Sequence, residues 1–91
     1  MDNRKFRHGN SIAWQVEQTY GYVYVFDVKS NMFYIFEDSG KDIWLSLCEG
    51  ATVSEVISQI ETDYQISHLD AVHDTIEFVN RLLDMRLLQH A

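Results

Sequence analysis

Between residues 11 and 37 the side chains alternate with the two-residue period of β-strands. The alternation falls into three segments, which are residues 11–19, 21–28 and 32–37. In the third segment, Met32, Tyr34 and Phe36 share one face, and Phe33 and Ile35 share the other. In the second segment, residues 21–28, both faces carry apolar residues, so both are expected to be partly covered.

From residue 39 onwards the apolar positions recur at helical spacing, and three polar pairs predict where helices begin. In each pair a Ser or Thr oxygen can accept a hydrogen bond from a free amide of the first turn. The pairs are Ser39 with Asp42, Thr52 with Glu55, and Ser67 with Asp70. Gly50 is expected to end the first helix, since glycine readily adopts the left-handed C-terminal conformation. The third helix is predicted to run to about Arg86, with Leu87 and Leu88 folding back onto the core.

The order of three strands followed by three helices predicts an α+β fold. The helices would pack on one side of a three-stranded antiparallel sheet. A chain of 91 residues fits a single domain spanning residues 1–91. Residues 1–10 have no periodicity, so we expect a flexible tail there. Residues 29–31, with the sequence KSN, predict a tight turn in which Asn31 takes a left-handed conformation.

The charge distribution argues against nucleic acid as a partner. The net charge is −7, and residues 37–91 hold 11 acidic against 3 basic side chains. Such a surface repels the phosphate backbone of nucleic acids and anionic lipid surfaces. The chain has no apolar run of membrane-spanning length, no recognisable signal segment and a single cysteine, Cys48. We therefore expect a cytoplasmic protein.

The third predicted helix carries two apolar stripes, although one is enough to dock a helix in a small domain. The first stripe is expected to face the other helices and consists of Thr75, Phe78, Val79 and Leu82. The second lies roughly 100° further round the helix and consists of Leu69, Val72, Ile76 and Leu83, with Asn80 at its edge. This second stripe either packs under the sheet or lines a groove.

The third predicted strand, residues 32–37, is an edge strand if the three strands form a simple meander. An apolar edge strand is an aggregation hazard unless something covers it. An edge strand beside an apolar helical stripe can capture an extended peptide by strand addition, with backbone hydrogen bonds to the visitor and a groove for its alternate side chains.

Three motifs, in this order, resemble those of the PqqD family of leader-peptide recognition proteins. At the end of the third strand the matching positions are Phe36, Glu37, Ser39, Gly40, Ile43 and Trp44. At the start of the second helix they are Glu49, Gly50, Thr52, Val53, Glu55 and Val56. In the last helix they are Asp74, Thr75, Phe78, Val79 and Leu82. The chain departs from the family where Phe36 and Glu37 replace a leucine-asparagine pair and where Arg86 replaces a usual glycine.

The resemblance implies a winged helix-turn-helix-like domain that binds the leader of a ribosomally made precursor peptide. The leader would add to the third strand, lie against the third helix and be delivered to a leader peptidase or another modifying enzyme, as in lasso-peptide biosynthesis. No cofactor and no catalytic activity are implied. Combined with the two features above, the resemblance predicts a peptide-binding site formed by Phe33, Tyr34, Ile35, Phe36, Val72, Ile76, Asn80 and Leu83.

Two other functions stay open at the level of sequence. A winged-helix fold can bind DNA, but a reading helix needs Arg or Lys directed at bases and phosphates. The third helix instead has two arginines against Asp70, Asp74, Glu77 and Asp84. The other alternative is an adaptor that binds only a protein partner and no peptide.

Few side chains offer the chemistry of an active site. Cys48 lies on the apolar face of the first predicted helix without a partner base, so we expect an inert thiol. His68 and His73 are five residues apart, which misses the spacing of four that a helical metal pair needs. Trp14 and Trp44 are predicted to be core residues. The sequence thus favours a binding protein over an enzyme.

Overall fold

A computed structural model of the protein describes all residues, 1–91. Five strands and three helices follow one another along the chain. The strands are β1 (Phe6–His8), β2 (Ile12–Val16), β3 (Val23–Asp27), β4 (Met32–Phe36) and β5 (Leu88–His90). The helices are α1 (Asp38–Cys48), α2 (Val53–Tyr64) and α3 (His68–Asp84). The predicted α+β order of three strands and then three helices is confirmed, with one short strand added at each end.

The main sheet has the strand order β2-β3-β4 and is antiparallel throughout. Register across the sheet pairs Val25 of β3 with both Trp14 of β2 and Tyr34 of β4. The inner face supplies core residues, among them Val23 and Val25, which are fully buried. Asn31 in the β3–β4 turn has a φ of 59°, which confirms its predicted left-handed conformation.

A second sheet joins the two ends of the chain, where the sequence predicted a flexible tail over residues 1–10. Strand β1 pairs with β5, with Phe6 opposite His90 and His8 opposite Leu88. Phe6 is only 2% exposed and belongs to the core, so the prediction of a flexible tail is wrong for residues 6–8. Strands of three residues are too short for periodicity to reveal them, and their partner lies at the opposite end of the sequence.

Two of the three predicted helix starts are confirmed. Thr52 and Glu55 form a capping box at α2, with the side chain of each residue bonded to the backbone amide of the other. The Ser67 hydroxyl accepts from the amide of Asp70 at 3.1 Å at the start of α3. At α1 the prediction was wrong, because Ser39 lies inside the helix and the N-cap is Glu37, which makes no side-chain capping bond.

Helices α1 and α3 end in the same backbone arrangement. Beyond α1, Gly50 has a φ of 99° and donates its amide to the carbonyl of Leu47. Beyond α3, Arg86 has a φ of 60° and donates to the carbonyl of Leu83 at 3.0 Å. In both cases the next residue donates to a carbonyl further back, which is the Schellman motif. Helix α3 therefore ends at Asp84, two residues before the predicted position.

The hydrophobic core lies between the inner face of the main sheet and the three helices. Trp44 of α1 is fully buried at its centre and packs against Trp14, with ring centroids 6.2 Å apart. Leu87 and Leu88 are buried, which confirms that the C-terminus folds back onto the core. No helix combines the length and the hydrophobicity needed to cross a bilayer.

Candidate peptide-binding site

Strand β4 is an edge of the main sheet, because its only partner is β3. The two-stranded sheet at the chain ends pairs elsewhere and leaves this edge open. Half of the backbone N–H and C=O groups of an edge strand point away from the sheet. The strand thus presents backbone groups that an extended visitor can pair with.

A groove of about 480 Å³ runs between β4 and α3. Its floor is aromatic: the ring of Phe36 stands edge-on to the ring of Phe78, with centroids 5.3 Å apart and planes at 79°. Phe36 also packs against the buried Trp44 at 5.5 Å, so the core supports the floor from below. The lining residues are Tyr34, Ile35, Phe36, Glu37, Gly40, Phe78, Arg81 and Met85.

Gly40 lets the start of α1 approach the groove closely. A Cβ atom at this position would lie 3.2 Å from Cζ of Phe78, which is tighter than nearly all such contacts. The absence of a side chain at Gly40 therefore lets the Phe78 ring lie across α1 and reach Phe36. Position 40 was recognised in sequence only as part of a family motif.

The strand half of the predicted site lies at the open edge, but its side chains point in two directions. Tyr34 and Phe36 lie on the inner side of β4, with Phe36 buried and Tyr34 packed against the core. Phe33 and Ile35 alternate with them and are 55% and 53% exposed. Phe33 lies on the opposite side of the sheet, where its ring contacts Tyr24, while Ile35 also borders the groove.

The helical half of the predicted site does not line this groove. Val72 and Ile76 line a separate cavity of about 530 Å³ that α3 forms with α2 and the N-terminus. Met1 and Ile57 line the same cavity. Asn80 is exposed, and Leu83 packs against the core from the same flank of α3 as Val72. The structure therefore does not bring the eight predicted residues together in one groove.

The residues of α3 that do lie beside β4 are Phe78, Arg81 and the nearby Met85, which caps the helix. At 100° per residue they occupy the flank of the core-facing stripe opposite to the one that carries Val72 and Ile76. The apolar pattern of the sequence assigned Phe78 to helix packing and gave no role to Met85. Their spacing of three and four residues indicates that they share one side of the helix. It does not show which side of the helix meets the sheet.

Arg81 is the one basic side chain that lines the groove, and Glu37 is the one acid. The Arg81 guanidinium lies 3.3 Å from the carboxylate of Glu77, and both side chains are more than half exposed. Exposed ion pairs of this kind contribute little, about 0–1 kcal/mol. Arg81 can therefore exchange Glu77 for a carboxylate of a bound peptide at small cost.

The remaining reactive side chains lie outside the groove. Burial, with a smaller contribution from Glu49, raises the pKa of Cys48 to about 11, so the thiol is protonated at neutral pH. A protonated thiol is a poor nucleophile. No group of three or more His, Cys, Asp or Glu side chains converges to hold a metal ion. The groove offers backbone groups, aromatic rings and one cation, which suit binding.

The fold combines an open sheet edge with an adjacent apolar groove, which is the arrangement in which an extended peptide can add to a sheet. The family model described as coenzyme PQQ synthesis protein D (PqqD) matches residues 22–88, so the chain belongs to the PqqD family. This match confirms the resemblance carried by the three motifs. No protein of curated function matches the sequence significantly.

Two solved structures share the fold. One is TbiB1 in complex with the TbiA(beta) leader peptide, with a TM-score of 0.83 and 18% identity over 91% of this chain and 94% of that chain. The other is lasso peptide synthetase B1 complexed with the leader peptide, with a TM-score of 0.84 and 21% identity over 93% of this chain and 98% of that chain. At these identities the likeness establishes the fold of the chain.

Proposed function

We propose that this protein binds the leader segment of a ribosomally made precursor peptide and presents it to a modifying enzyme or leader peptidase. The leader adds to β4 as a fourth strand, and its inward side chains enter the groove between β4 and α3. The observation that carries the proposal is the unpaired edge of β4 beside the aromatic floor of Phe36 and Phe78. The protein itself contributes recognition and no catalytic step.

The proposal is reasonable in energy. Two or three apolar anchors contribute about 1.5–3 kcal/mol each, and about four backbone hydrogen bonds contribute near 1 kcal/mol each. The gross gain of roughly 7–13 kcal/mol is reduced by an association cost of several kcal/mol or more. Micromolar to nanomolar affinity follows, which suits a protein that must capture a peptide and later release it.

Family membership and the two structural neighbours support the proposal independently of the groove geometry. Both neighbours were solved with leader peptides, and they share nearly the whole fold with this chain. The DNA-binding alternative gains no support from the structure, because the exposed side of α3 carries Asp70, Asp74, Glu77 and Asp84. Peptide recognition is thus the function that the site supports best.

A titration followed by amide NMR tests the proposal. The probe is a synthetic peptide with the leader sequence of the cognate precursor, and a scrambled peptide of the same composition is the control. We expect shifts concentrated in residues 32–36 of β4 and in the segment from Phe78 to Met85. Shifts confined to the α2–α3 cavity around Val72 and Ile76, or equal shifts with the scrambled peptide, would contradict it.

A further inference from the structure

We infer that the leader is read on both faces of the sheet, and that Phe33 and Ile35 form a second, outer subsite for its apolar side chains. This inference rests on the proposed function and deepens it. The inner groove accepts every second side chain of the guest strand. The outer subsite accepts the side chains between them, so the preferred ligand is an extended segment with apolar residues at adjacent positions.

The first observation is the composition of the outer face of the main sheet, which we define as the side directed away from the helices. A strand of ordinary half-buried character would be polar there. Instead the outer face carries a row of apolar side chains next to the open edge. Phe33 contacts Tyr24 with ring centroids 5.6 Å apart, and a shallow cavity of about 230 Å³ lies on this face. Its lining residues are Ala13, Trp14, Gln15, Tyr24, Phe26 and Phe33.

The second observation is a step in burial between the two strands that form this face. Tyr24 and Phe26 of β3 have a strand on each side and are half-buried. Phe33 and Ile35 pair with them across the register but lie on the edge, and more than half of each side chain is exposed. The missing neighbour accounts for the difference. A guest strand would supply it, because side chains directly opposite in adjacent strands lie about 4.5–5.5 Å apart at Cβ.

The third observation is that the outer subsite and the groove belong to the same five-residue strand. Any guest that pairs with β4 must place alternate side chains on both faces, since strand geometry allows no other arrangement. A second copy of this chain is a poorer occupant, because each copy carries a net charge of −7 and like-charged copies repel. The outer face thus continues the proposed peptide site.

The inference is tested by isothermal titration calorimetry of the same synthetic leader against the variants Phe33→Thr and Ile35→Thr. Threonine preserves strand propensity, and both positions are exposed, so the variants are expected to fold. We expect each substitution to raise Kd about two- to fivefold, as loss of one cross-strand pair predicts. Val28→Thr is the matched control, because Val28 is 64% exposed but follows β3 and does not lie on the open edge. Its Kd should equal that of the wild type.

A scan of the leader with serine substitutions provides the second reading. The inference expects losses at consecutive leader positions, and the outer losses should disappear in the Phe33→Thr background. Because Ile35 also borders the groove, Phe33→Thr is the decisive variant. Losses only at every second position, or an unchanged Kd for Phe33→Thr, would overturn the outer subsite and leave the inner groove standing. A wild-type chain that does not bind the leader would instead overturn the proposed function itself. Analytical ultracentrifugation of the free protein gives a further test. If the wild type sediments as a dimer and the Phe33→Thr variant as a monomer, the outer face binds a second copy of the chain and the inference is overturned.

Discussion

The ring of Phe36 at the end of β4 meets the ring of Phe78 in α3 edge to face, with 5.3 Å between centroids. This contact joins the edge strand β4 to helix α3, which lies beside it. Trp44 packs against Phe36 from the core and supports the contact. Because the same rings form the floor of the groove, one contact serves both the packing of the core and the proposed peptide recognition. Changes at these rings are therefore expected to affect stability and peptide binding together.

The close approach of Gly40 to Phe78 predicts a coupling between the two positions. Gly40→Ala should raise the free energy of unfolding by up to about 1 kcal/mol through its higher helix propensity. When Phe78 is present, however, the new methyl group presses on its ring and offsets this gain. In a Phe78→Leu background the pressure is relieved and the gain should appear. Chemical denaturation of the four proteins in this double-mutant cycle should give a coupling energy of at least about 0.5 kcal/mol. Additive effects would show that the contact tolerates a side chain at position 40.

The two flanks of α3 predict opposite results for two matched substitutions. Met85→Glu places a carboxylate in the groove and should weaken leader binding about tenfold, which is about 1.4 kcal/mol. Ile76→Glu places the same group in the cavity between α2 and α3 and should leave Kd within about twofold. Calorimetry measures both constants, and amide spectra check that both variants are folded. If Ile76→Glu alone removed binding, the peptide would lie on the flank that sequence analysis favoured.

The left-handed residues that end α1 and α3 predict changes of opposite sign. The φ of 60° at Arg86 is costly for a residue with a Cβ. Arg86→Gly should raise the free energy of unfolding by about 0.5–1 kcal/mol after the entropy of the unfolded glycine is subtracted. Gly50→Ala, at a φ of 99°, should lower it by a similar or larger amount. Urea denaturation measures both, and a destabilising Arg86→Gly would reveal side-chain contacts that outweigh the backbone strain.

Asp27 predicts how stability responds to acid. It is 8% exposed at the end of β3, and its carboxylate accepts from the Ser11 hydroxyl and the Lys29 amide, each at 3.0 Å. Burial opposes ionisation, but hydrogen bonds from Ser30, Ser11 and the Lys29 amide outweigh it and lower the pKa of Asp27. A lowered pKa in the folded state means that the stabilisation is complete above the unfolded pKa, about 4, and is lost as the pH falls below it.

Asp27→Asn measures that contribution, since asparagine keeps the size of the side chain and removes its charge. The difference in unfolding free energy between wild type and variant should be constant near neutral pH and shrink as the pH falls below about 4. Thermal unfolding at several pH values follows the difference. A difference that did not change with pH would mean that the ionised form of Asp27 has no special role.

Much of the fold follows from short-range patterns in the sequence. The three main strands, the turn at Asn31 and the starts of α2 and α3 were predicted because each depends on neighbouring residues. Alternation places Tyr34 and Phe36 on the face opposite to Phe33 and Ile35 without any tertiary information. The edge position of β4 followed from the meander order of the strands, so the strand half of the candidate site could be located in advance.

Tertiary structure alone decided three features that the local sequence patterns did not show. The pairing of β1 with β5 joins the two chain ends. Each of these strands has only three residues, which is too short for a periodic pattern to predict the pairing. Helix α1 begins directly after β4 ends at Phe36, so its N-cap is Glu37 and not the predicted Ser39. The flank of α3 that meets β4 depends on how the helix packs, so a pattern of apolar residues that marked Val72 and Ile76 could not show that Phe78, Arg81 and Met85 lie at the groove. Sequence periodicity determines which residues share a face, whereas only packing determines what that face meets.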